Sequence, residues 1–293
     1  MSTTATVFHG AFGRVCLYAM SRTMVPHVHR EGHLIFHIKG PPGEVVVDGR
    51  HYPLSNGQGV AISPWQGHYY RSLNTAHPTL ALVLYIRPSW FLDAGKSGSA
   101  SLRFGRVRLD IDDRLSRLIG GTADALLNTD DSECASQKST TETKCNPVVE
   151  DCLCSLTQSC FDQSWLWLAQ RCDRSGSGLS PRDFRVRNAL KLLRQRLCDP
   201  PELDVIAREV GLSRPHFYKL FRQQVGVTPN LYVNALRMER AIYKLSESRE
   251  LISDIGLDLG FSSQASFSRF FIANGVVPPS TYRRSVNDIY SLA

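Results

Sequence analysis

No stretch of the 293-residue chain stays apolar for the roughly 18 residues a membrane-spanning helix needs. The opening MSTTATVFHG also lacks the apolar core of a signal peptide, so a membrane partner is not expected and a cytosolic location is. Glycine (21) and proline (15) are not in excess, which excludes collagen-like and low-complexity classes. The chain has no CxxC pair at zinc-finger spacing, only the Cys152-Leu153-Cys154 step. Its eight cysteines, in a cytosolic chain, are expected as reduced thiols rather than a disulfide framework. Six of them (Cys134, Cys145, Cys152, Cys154, Cys160, Cys172) crowd one region and read as helix packing and loop thiols.

What is present suits two ordinary domains, with 42% hydrophobic and 21% charged residues. Charge is placed unevenly. From Arg182 onward there are 17 Lys+Arg against 11 Asp+Glu, a net of +6. The first 181 residues hold 17 against 16, a net of +1. A basic C-terminal part on a near-neutral body suits a polyanionic partner.

Residues 12–109 read as strands: RVCLYAM, HLIFHIKG, GEVVVDGRHYPL, GVAISP, HYYRSLN, TLALVLYI and SLRFGRVRL alternate with turn residues. Asp48-Gly49 signals a hairpin, because both central positions of its turn need positive φ. Short strands at this spacing predict a barrel or sandwich. From Asp110 the period becomes helical, with Ile111, Leu115, Leu118, Ile119, Ala123, Leu126 and Leu127 largely on one face. Residues 128–147 read as a flexible insert, a second helix follows over 148–172, and 173–181 (DRSGSGLSP) is a linker by composition.

The remainder is helical and repeats itself. LDVIAREVGLSRPHFYKLFRQQVGVTPNLY (203–232) and LISDIGLDLGFSSQASFSRFFIANGVVPPSTY (251–282) share one skeleton. Phe217, Phe221, Pro229 and Tyr232 recur 50 positions later as Phe267, Phe271, Pro279 and Tyr282, whereas Gly211 recurs after 49 as Gly260. Each unit has the pattern of a helix-turn-helix, whose second helix enters the DNA major groove. Ser213 and Ser262 suit cap or turn positions. Gln264 matches adenine and Arg269 guanine as bidentate partners, and the methyl of Ala265 matches thymine.

The motifs IAxxVGLS with FxxLF (206–221), GVTPxxY (226–232), RMxxAxxxL (237–245) and GFSSxxxFSRxF with PxxYR (260–283) resemble the DNA-binding domain of the AraC/XylS family of bacterial transcription regulators. The resemblance covers about 100 residues, 187–284. It implies that two helices read successive major-groove segments of double-stranded DNA, through Arg214, Pro215, His216, Tyr218, Lys219 and Arg222, and through Ser263, Gln264, Ala265, Ser266, Ser268 and Arg269. It also implies a partner in RNA polymerase and a homodimer formed through helices near 111–127 and 148–168. Gly256 departs from the family's usual alanine, Ile272 from a usual lysine, and Val276 stands in a glycine slot with Gly275 one place early.

The family's partner domain is commonly a small cupin-like β-barrel. Here PHVHREGHLIFHIKG (26–40) resembles the first cupin motif and GVAISPWQGH (59–68) the second. His27, His29, His33 and His68 fall near the metal-ligating positions of cupin enzymes, with His33 in the usual glutamate slot. They read as lining for an organic effector together with Trp65 and Tyr70, as a metal centre, or as barrel residues without a ligand. The first of these is the expectation, with no metal and no cofactor. The fold expected is two-domain α+β: a cupin-like barrel (1–109), a helical dimerisation region (110–172), a linker (173–181) and an all-α domain with two helix-turn-helix motifs (182–293). The function expected is a DNA-binding regulator under effector or dimerisation control; the alternative is a metal-dependent cupin enzyme or metal sensor fused to a DNA-binding domain.

Overall fold

Successive side chains along the strands point to opposite faces and give the N-terminal half two separate cores. The computed structural model describes residues 3–74, 76–93, 102–127, 147–166, 183–197, 202–275 and 277–291. One antiparallel sheet runs, in spatial order, through β1 (Thr3–Gly10), β2 (Gly13–Met20), β8 (Thr79–Ile86), β3 (Gly32–Lys39), β6 (Gln58–Ile62) and β9 (Arg108–Asp110). A second runs β5 (Arg50–Leu54), β4 (Gly43–Val47), β7 (His68–Arg71). Cys16, Tyr18, Ile35, Val60, Ile62 and Val83 face the second sheet and pack with its Val45, Val47, Leu54 and Tyr70. Their chain neighbours Val15, Leu17, Leu34, Phe36, Leu82 and Leu84 face the other way. That outer face is covered by α1 (Pro88–Asp93), α2 (Asp113–Leu127) and α3 (Pro147–Leu166). Burial on both faces explains why β2 and β8 read as almost continuous apolar runs.

The hairpin signal holds: Asp48 and Gly49 join β4 to β5 with φ of 49° and 79°. Two elements were not legible. TTATVFHG forms β1 because β2 offers it an edge, and Pro88 opens α1 directly after β8. Of SLRFGRVRL, only the last two residues, Arg108 and Leu109, fall in a described strand, Arg108–Asp110. The apolar faces of α2 and α3 (Leu115, Ile119, Leu126, Leu153, Phe161) lie against the sheet of the same chain. The insert before Pro147, the linker 173–181, and Cys134, Cys145 and Cys172 lie outside the described residues. Cys16, Cys152 and Cys160 are free thiols, and Cys160 is fully buried.

The C-terminal domain comprises α4 (Phe184–Gln195), α5 (Leu203–Glu209), α6 (Arg214–Val225), α7 (Pro229–Glu247), α8 (Ile252–Asp258), α9 (Gln264–Asn274) and α10 (Pro279–Ser291). Around α5 and α6, Val186, Leu190, Ile206, Phe217, Phe221 and Tyr232 form one core. Around α8 and α9, Ile255, Leu259, Phe267, Phe271 and Tyr282 form another, joined by Ala241 and Leu245 of α7 and continuous with the barrel core. No helix among the described residues is long and apolar enough to cross a membrane.

The N-terminal domain sets one ring on the equivalent tyrosine of each repeat. Trp65 stacks on Tyr232, centroids 4.9 Å apart and planes at 19°. His9 meets Tyr282 edge-on and shares a 2.8 Å hydrogen bond with its hydroxyl. Val28 inserts into the first unit's core, and Arg30 pairs with Glu239 of α7 at 3.1 Å.

Candidate functional site

Both turns are built the same way. After α5, Gly211 takes a left-handed φ of 72°, its N–H donates to Arg208 O (2.9 Å) and Leu212 N–H donates to Ala207 O (2.9 Å). After α8, Gly260 has φ 78°, its N–H donates to Leu257 O (2.9 Å) and Phe261 N–H donates to Gly256 O (3.0 Å). This is the Schellman arrangement, which satisfies the last helical carbonyls and needs a residue free to adopt positive φ. Ser213 then precedes α6 as its N-cap residue, and Ser263 caps α9 by accepting from Ser266 N–H. The second turn is therefore one residue longer, and Ser262 sits within it rather than at the cap. Four residues beyond each cap, Phe217 and Phe267 are fully buried. Phe221–Tyr232 and Phe271–Tyr282 repeat one edge-on contact at 5.6 and 5.7 Å.

Gly256 has a structural reason. A Cβ built there would lie 2.9 Å from Phe267 Cβ, so the missing side chain lets α8 and α9 meet. Gly256→Ala gains about 1 kcal/mol of helix propensity. It also forces an overpacked contact costing about 1–3 kcal/mol. Net destabilisation of about 1 kcal/mol is expected by denaturant melting; net stabilisation would show that the helices do not touch so closely.

The outward residues form two exposed faces. Arg214, Pro215, His216, Lys219 and Arg222 of α6 are exposed and Tyr218 is half-buried. Pro215 sits at the second helical position, where no N–H is needed. Arg214 pairs with Asp204 at 2.9 Å, a surface contact that a phosphate can replace at little loss. Ahead of and along α9, Ser263, Gln264, Ala265 and Arg269 are exposed, and Ser266 and Ser268 half-buried. Arg269 Nη2 donates to Ser266 Oγ at 3.3 Å, holding the guanidinium along the helix. Ile272 is half-buried and shares with Arg269, Arg22 and Val25 a groove of about 360 Å³ between the domains.

The four histidines come together at the barrel mouth under α7. His27 and His68 exchange backbone hydrogen bonds (2.9 and 3.0 Å). His29 Nε2 and His33 Nδ1 each lie 3.1 Å from His68 Nε2. Burial pushes His27 down to about 4 and His68 to about 3, the latter helped by His27. Burial and the neighbouring imidazoles hold His29 and His33 well below the ordinary value, so all four are neutral near pH 7. Tyr70 is buried between the sheets with its hydroxyl on Thr79 Oγ1 (2.9 Å), and Trp65 faces Tyr232. No sequence period signals the contacts of Trp65, His9 and Val28, because their partners lie more than 100 residues away.

These two parts define a cupin domain joined to a helix-turn-helix domain. A cupin domain family matches residues 14–85 and a helix-turn-helix domain family matches residues 206–285. The chain belongs to the AraC/XylS family. The regulatory protein PocR of Salmonella typhimurium is 33% identical over 116 residues, 40% of this chain and 38% of PocR. The TetD protein of transposon Tn10 from Escherichia coli is 33% identical over 100 residues, 34% of this chain and 72% of TetD. The chain thus matches little more than a third of the length of PocR and of a Haemophilus influenzae regulator. ToxT of Vibrio cholerae, bound to an unsaturated fatty acid, has a TM-score of 0.57 at 15% identity, over 98% of both chains. At that identity the likeness shows the two-domain fold.

Proposed function

We propose that this protein is a sequence-specific regulator of transcription that binds double-stranded DNA through α6 and α9, in the cytoplasm and without enzymatic activity. The observation that carries the reading is the pair of in-phase helix-turn-helix units with exposed polar and cationic faces, on a segment of net charge +6. The 19 residues of α7 link the units. A helix of that length spans about 28 Å at 1.5 Å per residue, near the distance between successive major-groove segments on one face of DNA. Residues 182–293 are the DNA-binding domain, 1–109 the sensor, 110–172 the dimerisation region and 173–181 the linker. Control comes from a small effector or from dimerisation through the N-terminal half; the fatty acid bound by ToxT supports an effector reading. Since the apolar faces of α2 and α3 are used within the chain, a dimer would use their outward faces. RNA polymerase is the second partner this family membership suggests.

Arg269→Ala is expected to relax specificity at one position in one half of the site, at about 1–3 kcal/mol, as for loss of a bidentate base contact. Lys219→Ala acts in the other half. Binding by both variants is compared across a library of single-base changes. Equal weakening on all sequences would assign these side chains to phosphate instead.

A further inference from the structure

Measured against the chain's own repeat, the second reading helix is short of cations. The 50-residue offset that pairs Phe217 with Phe267 and Phe221 with Phe271 also pairs Lys219 with Arg269 and Arg222 with Ile272. So α6 presents Arg214, Lys219 and Arg222, whereas α9 presents Arg269 alone. Base contacts specify, but phosphate contacts hold a reading helix in register on the duplex. With Arg269 given to a base, α9 keeps no cation of its own for the backbone beside it.

Ile272 is half-buried where Arg222 is exposed, because it shares a groove with a loop of the cupin domain. That loop, residues 21–31, joins β2 to β3. Three successive residues pin it. Thr23 Oγ1 accepts from Ser72 N–H (3.1 Å), Met24 N–H donates to Tyr70 O (2.9 Å), and Val25 N–H donates to Ala273 O of α9 (3.3 Å). The last of these satisfies a carbonyl that the end of a helix leaves open. The loop's other charges are paired within the chain, Arg30 with Glu239 at 3.1 Å and Glu31 with Arg14 at 3.2 Å. Arg22 is exposed and makes no ion pair or hydrogen bond among the described residues. It opens onto the same groove as Arg269, and none of the described residues lining that groove is acidic.

We propose that Arg22 is a DNA contact: its guanidinium binds the backbone phosphate beside the base that Arg269 reads, so that the cupin domain completes the second reading unit. The guanidinium fork matches two phosphate oxygens, and a loop already pinned at residues 23–25 loses little freedom on binding. Two like charges on one groove repel, and a shared polyanion replaces that repulsion with attraction. The first unit has no such need, since Arg222 holds the matching position on α6 itself. The contact rests on the function proposed above.

The test compares full-length wild type, Arg22→Ala and Arg22→Lys on duplexes that the wild type selects. Arg22→Ala should weaken binding roughly tenfold or more on every sequence alike, as for loss of a hydrogen bond to a charged group. The slope of log affinity against log salt should become shallower by about 0.9, one phosphate's share, and Arg22→Lys should keep the wild-type slope. The melting temperature should not move, because the side chain makes no polar contact among the described residues. Duplexes carrying one neutral methylphosphonate at a time locate the contact. One such position, in the half altered by Arg269→Ala, should weaken the wild type and leave Arg22→Ala no weaker than before. Unchanged affinity and slope in Arg22→Ala, or a loss confined to certain base changes, would overturn the phosphate contact. Tighter binding by Arg22→Ala would overturn it too, and show that the loop covers α9 instead. So would a methylphosphonate effect confined to the half altered by Lys219→Ala. A wild type that selects no DNA would sink the regulator reading itself, whereas normal wild-type binding with an inert Arg22 would sink this contact alone.

Discussion

DNA binding by the full-length protein is expected to fall steeply as salt rises. Each phosphate neutralised by a cation contributes about −0.9 to the slope of log affinity against log salt, so even about four contacts lose roughly a hundredfold between 50 and 200 mM. Arg214 and Arg222 of α6, with the exposed Arg208 and Arg240 of the same domain, supply that many, leaving Lys219 and Arg269 to the bases. Other cations will add less, because they are already paired: Arg196 with Glu209, and Lys244 with Glu250 and Asp258. Fluorescence anisotropy across a salt series reads the slope directly. Affinity that barely changes would mean that this domain does not approach the phosphates.

Phe267→Ala is expected to cost about 3–5 kcal/mol, the usual penalty for emptying a fully buried phenyl site. Phe267 is fully buried, packs against Phe261 and Phe271, and occupies the space opened by Gly256. Native domains hold only about 5–15 kcal/mol in all, so the second unit should lose its fixed packing first. The readout is chemical denaturation together with base-change binding. Stability should fall, and the contribution of Arg269 should vanish while that of Lys219 persists. A loss under about 1 kcal/mol would mean the site collapses around the gap, and the close α8–α9 packing would be wrong.

The helix-turn-helix units were legible because their constraints are local. A positive-φ glycine, a cap and two phenylalanines at fixed offsets write the motif into about twenty residues, and it is written twice. The reason for Gly256 was not legible: helix propensity counts it as a defect, and only the approach of Phe267 explains it. The barrel strands were readable from period and turns, but β1 was not, since its threonines and glycine carry little apolar pattern without the neighbouring edge of β2. The histidine spacing suggested convergence, and the structure brings all four rings together. The stack of Trp65 on Tyr232 had no signal in the sequence. Contacts between distant elements leave no period in a sequence, so the tie between the cupin and helix-turn-helix domains emerged only from the fold.

The most direct measurement is selection of bound DNA from a random pool by the full-length protein, followed by sequencing. Enriched sites are expected to carry two defined segments on one face of the duplex, about 10–10.5 base pairs centre to centre, one altered by Lys219→Ala and the other by Arg269→Ala. A pool without enrichment, or one defined segment insensitive to both substitutions, would contradict that expectation.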